Sequence, residues 1–181
     1  MKFLVLGHGD HGKDTFAELL CDRFDLTFTS SSVAAMDAIW PALHLHLSKT
    51  DKDYQELMTT TFNTESLKLY AFEMRKHHRE IWKELISLYN AHDRGALCKM
   101  ILKITDVYVG MRCDLEYEAS KHLFTQIFYV DACARKPAEP SMKIKFNPST
   151  MIYVDNNGLK SNMIEFVNST RMHGGKIICP D

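Results

Sequence analysis

The chain has 181 residues, of which 45% are hydrophobic and 25% are charged, values typical of a globular protein that buries a sizeable core. Its 22 Lys and Arg residues nearly balance its 23 Asp and Glu residues, so the net charge of -1 offers no electrostatic basis for nonspecific nucleic-acid binding. The five cysteines are an odd number without a CxxC pair, which argues against a disulfide framework and a zinc knuckle.

The chain opens with a short apolar run, residues 3–6, which predicts a parallel strand buried on both faces. An apolar stretch of about five residues is too short for a signal peptide or a membrane span. We therefore expect a cytoplasmic protein that does not contact membranes.

A glycine-rich segment follows directly, with the sequence GHGDHGKDT over residues 7–15, and leads into apolar residues at helical spacing. Strand, glycine loop and helix together are the context of a phosphate-binding loop. Backbone N–H groups framed by glycines face phosphate oxygens, and a lysine and the helix N-terminus add positive charge. The predicted nucleotide contacts are Gly7, Gly9, Asp10, His11, Gly12, Lys13, Asp14 and Thr15.

Asp14 stands where the pattern GxxxxGK[ST] has its Mg²⁺-binding hydroxyl, and Thr15 follows it. A carboxylate binds Mg²⁺ better than a hydroxyl does, but without the metal it repels phosphates. We therefore expect Asp14 to hold Mg²⁺, with Thr15 as a second ligand or as a donor to the inner phosphate. In the alternative interpretation, His8, Asp10 and His11 are only polar turn residues before a helix.

Short apolar runs alternate with helical patterns along the rest of the chain. Strands are predicted near residues 26–29, 106–110, 127–131 and 151–154, with a further short strand in the tail. Helices are predicted near residues 33–47, 65–90, 94–103, 115–123 and 160–171. A break or kink is expected in the first of them at Pro41, and the second is either continuous or interrupted. Residues 49–64 are polar and are predicted to form a mobile excursion with one short helix. This order predicts one domain with an α/β/α three-layer fold, a parallel sheet of about five strands and a helical, substrate-side insertion over about 33–104. The ligand site then lies at the carboxyl ends of the strands.

Phosphoryl transfer depends on cations near the strand ends. Arg112 directly follows a predicted strand, and Glu116, one helical turn later, either holds Arg112 or forms an exposed pair with it. Arg135 and Lys136 belong to a basic, proline-containing loop over about 132–148 that we interpret as a lid. The alternative for Arg112 is a surface arginine that caps the next helix.

Three residues of the predicted helical insertion are candidates for binding the acceptor. Arg75 and Arg79 are one turn apart and either grip a phosphate together or belong to a solvated face. Asp37 lies among apolar neighbours, where a carboxylate is either exposed or functional as a partner or base for the acceptor. The histidines have no matching carboxylate spacing, so we expect no protein-bound zinc.

The loop that ends in Gly12-Lys13-Asp14-Thr15 resembles that of the bacteriophage deoxynucleoside monophosphate kinases and, more loosely, the nucleoside monophosphate kinase-like P-loop proteins. Residues 36–39, 75–82, 107–116, 130–137 and 156–159 are similar to further segments of that family. The resemblance implies transfer of the γ-phosphoryl group of ATP, with Mg²⁺, to a deoxynucleoside monophosphate in phage nucleotide metabolism, in the host cytoplasm. In this hypothesis Lys13, Arg112, Arg135 and Asp37 are catalytic, and Asp37, Arg75, Arg79 and Arg112 bind the acceptor.

Two other functions stay open. In the first, the acceptor is a hydroxymethylated base, free or in DNA, although the near-neutral charge argues against a long duplex footprint. In the second, the chain is a nucleotide-binding regulatory or counter-defence protein without catalysis, consistent with Asp14 and with Gly110, which stands where related kinases often have an acidic residue. The expected partners are small nucleotides, and a homodimer is left open.

Overall fold

The computed structural model describes residues 1–61 and 63–179. The chain divides into two compact units. We call residues 1–31 together with 98–181 the sheet unit, and residues 32–97 the helical unit. The predicted helical region, about 33–104, comprises nearly all of the helical unit and extends to the end of the helix Ala96–Ile104, which begins in that unit.

The elements alternate in the order expected of an α/β protein. The strands are β1 (Phe3–Leu6), β2 (Phe28–Ser30), β3 (Val107–Val109), β4 (Gln126–Asp131), β5 (Ile152–Asp155), β6 (Arg171–His173) and β7 (Lys176–Ile178). The helices are α1 (Lys13–Phe24), α2 (Ser31–Thr50), α3 (Lys52–Thr60), α4 (Thr64–Glu73), α5 (Arg79–Tyr89), α6 (Ala96–Ile104), α7 (Asp114–Ser120) and α8 (Lys160–Ser169), with 3-10 segments at Met74–Lys76 and Lys121–Leu123.

The main sheet has five parallel strands in the order β2-β3-β1-β4-β5. Phe3 and Val5 of the central strand pack in a core with α1 and α8, while Leu4 and Leu6 point to the opposite face and are fully buried too. On that opposite face α7 reaches the sheet, because Glu116 accepts a hydrogen bond from Tyr108 of β3. The predicted three-layer α/β/α fold with a five-stranded parallel sheet is therefore confirmed.

The sheet has a switch point beside its central strand. The chain leaves β1 towards β2 on one side of the sheet, whereas it leaves β4, the neighbour of β1, towards β5 on the other side. In open α/β sheets a crevice for ligands forms at the carboxyl ends of such a strand pair. The glycine-rich loop follows β1 and therefore begins at this crevice.

Several element bounds differ from the sequence prediction. Strand β2 begins at Phe28, two residues later than expected, because Asp25 ends α1 in a left-handed conformation and the Leu26 N–H still bonds to the Cys21 carbonyl. Helix α2 runs through Pro41 without a break. The tail forms a β6–β7 hairpin instead of one added strand. Within the excursion predicted over 49–64, the structure contains α3, and residue 62 lies outside the described residues.

The helical unit has its own apolar core. The long helix expected over 65–90 is interrupted, because α4 ends in the 3-10 segment Met74–Lys76 and α5 begins at Arg79. Helices α2 to α5 contribute the buried side chains Met36, Ile39, Leu43, Leu47, Tyr54, Leu67, Ala71 and Trp82.

Asp51 joins three segments of the helical unit through hydrogen bonds. Its carboxylate caps α3 by accepting from the Tyr54 N–H (2.9 Å), and it also accepts from the Tyr70 hydroxyl (3.1 Å) and from His78 Nε2 (2.8 Å). Burial by itself raises the pKa of Asp51, but the hydrogen bonds from Tyr54, His78 and Tyr70 together outweigh it and hold the pKa below the ordinary value of 3.8. The charged carboxylate therefore stabilises the fold.

We expect Asp51→Ala to lower the free energy of unfolding by about 2 kcal/mol at neutral pH, since it removes a helix cap and two further hydrogen bonds. Because the folded-state pKa of Asp51 is lowered, its contribution is present above the ordinary value of 3.8 and is lost as the pH falls through the lowered pKa. Chemical denaturation at pH 7 and pH 3 measures both effects. Asp53→Ala is the matched control, because Asp53 is an exposed carboxylate in the first turn of the same helix. Equal losses in the two variants would contradict the assigned role.

None of the helices within residues 1–61 and 63–179 has an apolar stretch long enough to cross a membrane.

Candidate phosphate-binding site

The loop between β1 and α1 leads into three backbone N–H groups that lie before the hydrogen-bond ladder of α1. Gly12 caps α1 in a left-handed conformation with φ 85°, and the first intrahelical bond runs from the Phe16 N–H to the Gly12 carbonyl (2.9 Å). The N–H groups of Lys13, Asp14 and Thr15 therefore precede the helical hydrogen-bond ladder and have no acceptor within it. Such a helix end, with its positive dipole, is suited to bind an anion.

Asn156, in the turn between β5 and α8, supports the loop from outside. Its Nδ2 donates to the His11 carbonyl (2.8 Å), and a Cβ added at Gly12 would collide with the same Nδ2. Its own carbonyl accepts from Nε of Arg135 (2.7 Å), so the predicted lid arginine is bound to the turn that supports the loop. In the sequence, residues 156–159 stand out only by their similarity to a segment of the kinase family, which does not indicate this role.

The two loop histidines tether the segment that follows β4. The backbone N–H of Ala132 donates to His11 Nδ1 (3.0 Å), and that of Glu139 donates to His8 Nδ1 (2.8 Å). Because a backbone N–H is always the donor, neither Nδ1 carries a proton, and the ring hydrogen of each neutral imidazole is on Nε2. His8 Nε2 lies 3.3 Å from the Tyr129 hydroxyl, whereas His11 Nε2 is buried without a partner in the described part of the chain. The histidines thus position a second segment and are not only turn residues.

A carboxylate of that segment occupies an anion position on the loop. Glu139 Oε2 accepts from the Gly9 N–H (3.0 Å) and from Nη1 of Arg112 (2.5 Å), and the same Nη1 donates to the Ser141 hydroxyl (2.6 Å). A Cβ on Gly9 would lie 2.7 Å from this oxygen, so only glycine permits the close approach. The Gly9 N–H and the Arg112 guanidinium together thus bind an anionic oxygen at the loop.

Lys13 and Asp14 lie side by side at the start of α1. Lys13 Nζ is 3.6 Å from Asp14 Oδ2 and 3.5 Å from the His8 carbonyl oxygen. The side chain of Lys13 is 10% exposed and that of Asp14 is 57% exposed. An exposed carboxylate next to the candidate phosphate site fits Mg²⁺, which is usually bound by one or two carboxylates together with phosphates and waters.

The end of β3 brings Gly110 beside the loop lysine. A Cβ added at Gly110 would lie 3.5 Å from Cε of Lys13 and 3.5 Å from Oγ of Ser31, and the Ser31 hydroxyl donates to the Gly110 carbonyl (3.2 Å). A side chain at this position would therefore adjoin Lys13. The Asp14 carboxylate lies near the Lys13 ammonium.

Asp131, at the end of β4, lies near His11 and Cys133 in an arrangement that could hold a metal ion. Asp131 instead accepts hydrogen bonds from the Cys133 N–H (3.3 Å) and from the Tyr153 hydroxyl (2.8 Å). Burial raises the pKa of Asp131, but these and further hydrogen bonds outweigh it and lower the pKa. Since Nδ1 of His11 is already an acceptor for the Ala132 N–H, we interpret this group as a support for the turn after β4.

Three of the four predicted acceptor residues, Asp37, Arg75 and Arg79, lie in the helical unit, whereas Arg112 belongs to the sheet unit. Asp37 is exposed on α2 and forms an ion pair with Lys68 (2.8 Å). The Arg75 guanidinium donates to the Phe72 carbonyl (2.9 Å) and stacks 4.1 Å from the centroid of the Phe72 ring. The turn before α5 separates Arg75 from Arg79, so the regular helical spacing expected between these two arginines is not present.

Glu116 does not hold Arg112 and does not form an exposed pair. It is buried and accepts from the Tyr108 hydroxyl (3.0 Å), while Arg112 pairs with Glu139. Burial raises the pKa of Glu116 to about 7, against a smaller lowering by the Tyr108 hydrogen bond. Spacing along the chain predicted the wrong partner for Arg112, because the actual partner is 27 residues away in an irregular loop.

Comparison with known proteins shows distant structural likeness alone. No protein-family model matches the chain, and no curated protein matches it either. A solved structure titled as an unliganded sugar kinase from Janibacter sp. is 13% identical and is matched over 91% of this chain and 90% of that chain, with a TM-score of 0.37. A likeness at this level assigns neither a family nor an activity to the chain.

Proposed function

We propose that the chain is an ATP-dependent phosphotransferase whose acceptor is a deoxynucleoside monophosphate. The observation that supports this most directly is the anion position on the loop, where the Gly9 N–H and Arg112 together bind a carboxylate oxygen. This position lies at the carboxyl end of the central strand, next to the switch point of the sheet. It is the place at which a strand, glycine loop and helix bind nucleotide phosphates.

The first turn of α1 and Arg112 bind the donor phosphates and the transferring group in this proposal. Lys13 and the first N–H groups of α1 bind the donor phosphates, and the Thr15 hydroxyl contacts the inner phosphate. Asp14 would hold Mg²⁺, which neutralises charge on the phosphates when it is bound. Arg112 stabilises the transferring group, because a guanidinium matches phosphate oxygens in a bidentate manner.

The remaining predicted residues complete the proposal. Arg135, bound to the Asn156 carbonyl, contributes positive charge from the segment after β4. Asp37, Arg75 and Arg79 of the helical unit are proposed to bind the acceptor. For Asp37 this requires exchange of the Lys68 ion pair, which is exposed and therefore weak.

A nucleotide-binding protein without turnover is the second candidate. Two observations favour it: the carboxylate of Glu139 occupies the anion position, and Gly110 offers no carboxylate beside Lys13. Such a protein would bind ATP without releasing ADP.

The test is a phosphoryl-transfer assay with ATP, Mg²⁺ and each of the four common deoxynucleoside monophosphates, in which ADP release and diphosphate products are measured. We expect turnover with at least one acceptor, loss of turnover with EDTA, and a decrease of about a hundredfold or more in Lys13→Ala, because a preorganised charge next to the phosphates is removed. Lys103→Ala, at an exposed lysine of α6, is the matched control and should not change the rate.

The alternative results separate the hypotheses. ATP binding without turnover with any acceptor would favour the second candidate. Transfer to hydroxymethylated bases or to DNA that contains them, but not to mononucleotides, would move the acceptor to that class. A protein that does not bind ATP, or whose affinity for ATP is unaffected by Lys13→Ala, would contradict the proposal as a whole.

A further inference from the structure

The segment 132–141 is held against the phosphate-binding loop through Ala132 and Glu139. The Ala132 N–H bonds to His11 and the Glu139 N–H bonds to His8, so two backbone donors of the segment meet two side-chain acceptors of the loop. The third bond runs in the other direction, from the Gly9 N–H of the loop to the Glu139 carboxylate. We call residues 132–141 the strap.

The Glu139 carboxylate uses the same donors that a phosphate would use. It takes the Gly9 N–H and an N–H of Arg112 through one oxygen, Oε2, in a partly buried position. Charge-assisted bonds of this kind are the stronger hydrogen bonds of proteins. A phosphate oxygen and Oε2 cannot share the Gly9 N–H at 3.0 Å, since both are anionic and both need the same space.

We propose that Glu139 is an internal competitor of the nucleotide phosphates. In the empty protein its carboxylate fills one phosphate position and neutralises Arg112. A phosphate that enters displaces the carboxylate and takes over both the Gly9 N–H and the Arg112 guanidinium. The inference rests on the proposed function for the identity of the ligand, but it concerns the strap and not the transfer step.

We call the strap open when Glu139 has left the Gly9 N–H and Arg112. The apparent affinity for phosphate is then the intrinsic affinity multiplied by the fraction of molecules in which the strap is open. If about a tenth of the molecules are open, removal of the competitor lowers the dissociation constant about tenfold. The strap thus favours ligands with enough phosphate groups to replace every contact that Glu139 loses. A polyphosphate chain meets this requirement better than a single phosphate does.

The experiment is isothermal titration of Mg-ATP into the wild type, Glu139→Ala and Glu139→Gln. We expect Glu139→Ala to bind more tightly than the wild type, by about tenfold for an open fraction of about a tenth. Glu139→Gln should give a smaller gain, because it loses the charge but keeps an acceptor for Gly9. The matched control is Glu118→Ala, because Glu118 is also a carboxylate of the sheet unit that pairs with a cationic side chain, that of Lys121. Melting curves of all variants check that they are folded.

An unchanged or weaker affinity in both Glu139 variants would overturn the inference, and so would an equal gain in Glu118→Ala, which would point to net charge alone. Lys13→Ala in the same titration separates the two proposals. If Lys13→Ala weakens binding and the Glu139 variants do not strengthen it, the proposed phosphate-binding role of the loop is supported and the proposed competition by Glu139 is contradicted. If none of the proteins binds Mg-ATP, both proposals are overturned. Tighter binding in the Glu139 variants without turnover in the transfer assay would support the competitor and contradict the phosphotransferase.

Discussion

Gly12→Ala is expected to weaken nucleotide binding by about a hundredfold or more, because it distorts the loop at the point where the amides converge. Gly12 has φ 85°, a conformation that costs a residue with a Cβ about 1 to 2 kcal/mol. The added Cβ would also collide with Nδ2 of Asn156 and break its 2.8 Å bond to the His11 carbonyl, which leaves a buried acceptor unpaired. Such a loss costs a further 1 to 3 kcal/mol or so.

The chain provides a matched control for this substitution. Gly174 has φ 54° and lies in the turn between β6 and β7, where a Cβ would meet no atom within 4 Å. Gly174→Ala should therefore lose some stability to backbone strain while its affinity for ATP stays at the wild-type value. Equal loss of ATP binding in both variants would show that general destabilisation, and not loop geometry, is responsible.

A double-mutant cycle identifies the cause of the loss in Gly12→Ala. In the background of Asn156→Ala, the Cβ at position 12 no longer meets an amide, so Gly12→Ala should cost less stability than it does in the wild type. Denaturation of the four proteins gives the coupling free energy. Strict additivity would contradict the assigned collision and leave backbone strain as the whole effect.

The order of the elements and the position of the loop follow from local sequence signals. An apolar run, glycines at fixed offsets and a helical pattern occupy 3–24 without interruption, and the structure places β1, the loop and α1 there. The position of Arg112 near the loop could be predicted for a related reason, because the carboxyl ends of parallel strands meet at one edge of a sheet. Local patterns and the rules of parallel sheets are sufficient for these features.

The partners of the loop could not be predicted in the same way. Asn156 supports the loop from 145 residues away, and Glu139 reaches Gly9 across 130 residues from a segment without periodicity. These contacts exist because β4 and β5 lie on the side of β1 opposite to β2 and β3, which only the assembled sheet decides. For Glu116 the sequence predicted a contact that the structure does not contain. Its spacing from Arg112 suggested a pair, but in the folded chain Glu116 accepts a hydrogen bond from Tyr108.

Glu116→Gln is expected to stabilise the protein at alkaline pH, although it removes a charged side chain. Burial raises the pKa of Glu116 from 4.5 in the unfolded chain to about 7 in the folded state, and the Tyr108 hydroxyl lowers it only in part. Burial also raises the pKa of Tyr108 well above 10, so this hydroxyl keeps its proton and remains the donor at 3.0 Å. The folded protein therefore prefers the neutral form of Glu116.

The sign of the pH dependence follows from this preference. A carboxyl group whose folded pKa is raised contributes stability that is fully present below 4.5 and is lost as the pH rises through about 7. At 1.36 kcal/mol for each pKa unit, the wild type loses about 3 kcal/mol across this interval. Gln is neutral at every pH and keeps an oxygen that accepts from Tyr108. The variant should thus match the wild type near pH 4.5 and exceed it by up to about 3 kcal/mol at pH 8.

Thermal melting at pH 5 and pH 8 measures this difference, which corresponds to a rise in Tm on the order of 10 °C at pH 8 for a chain of this size. Glu118→Gln is the control on the same helix, because Glu118 is exposed and bonded to Lys121, and its replacement should not stabilise the protein at either pH. If the Glu116→Gln variant melts below the wild type at pH 8, the folded protein favours the ionised carboxylate of Glu116, and the prediction is contradicted. The carboxyl beneath β3 would then need a cationic partner, which its contact with Tyr108 does not supply.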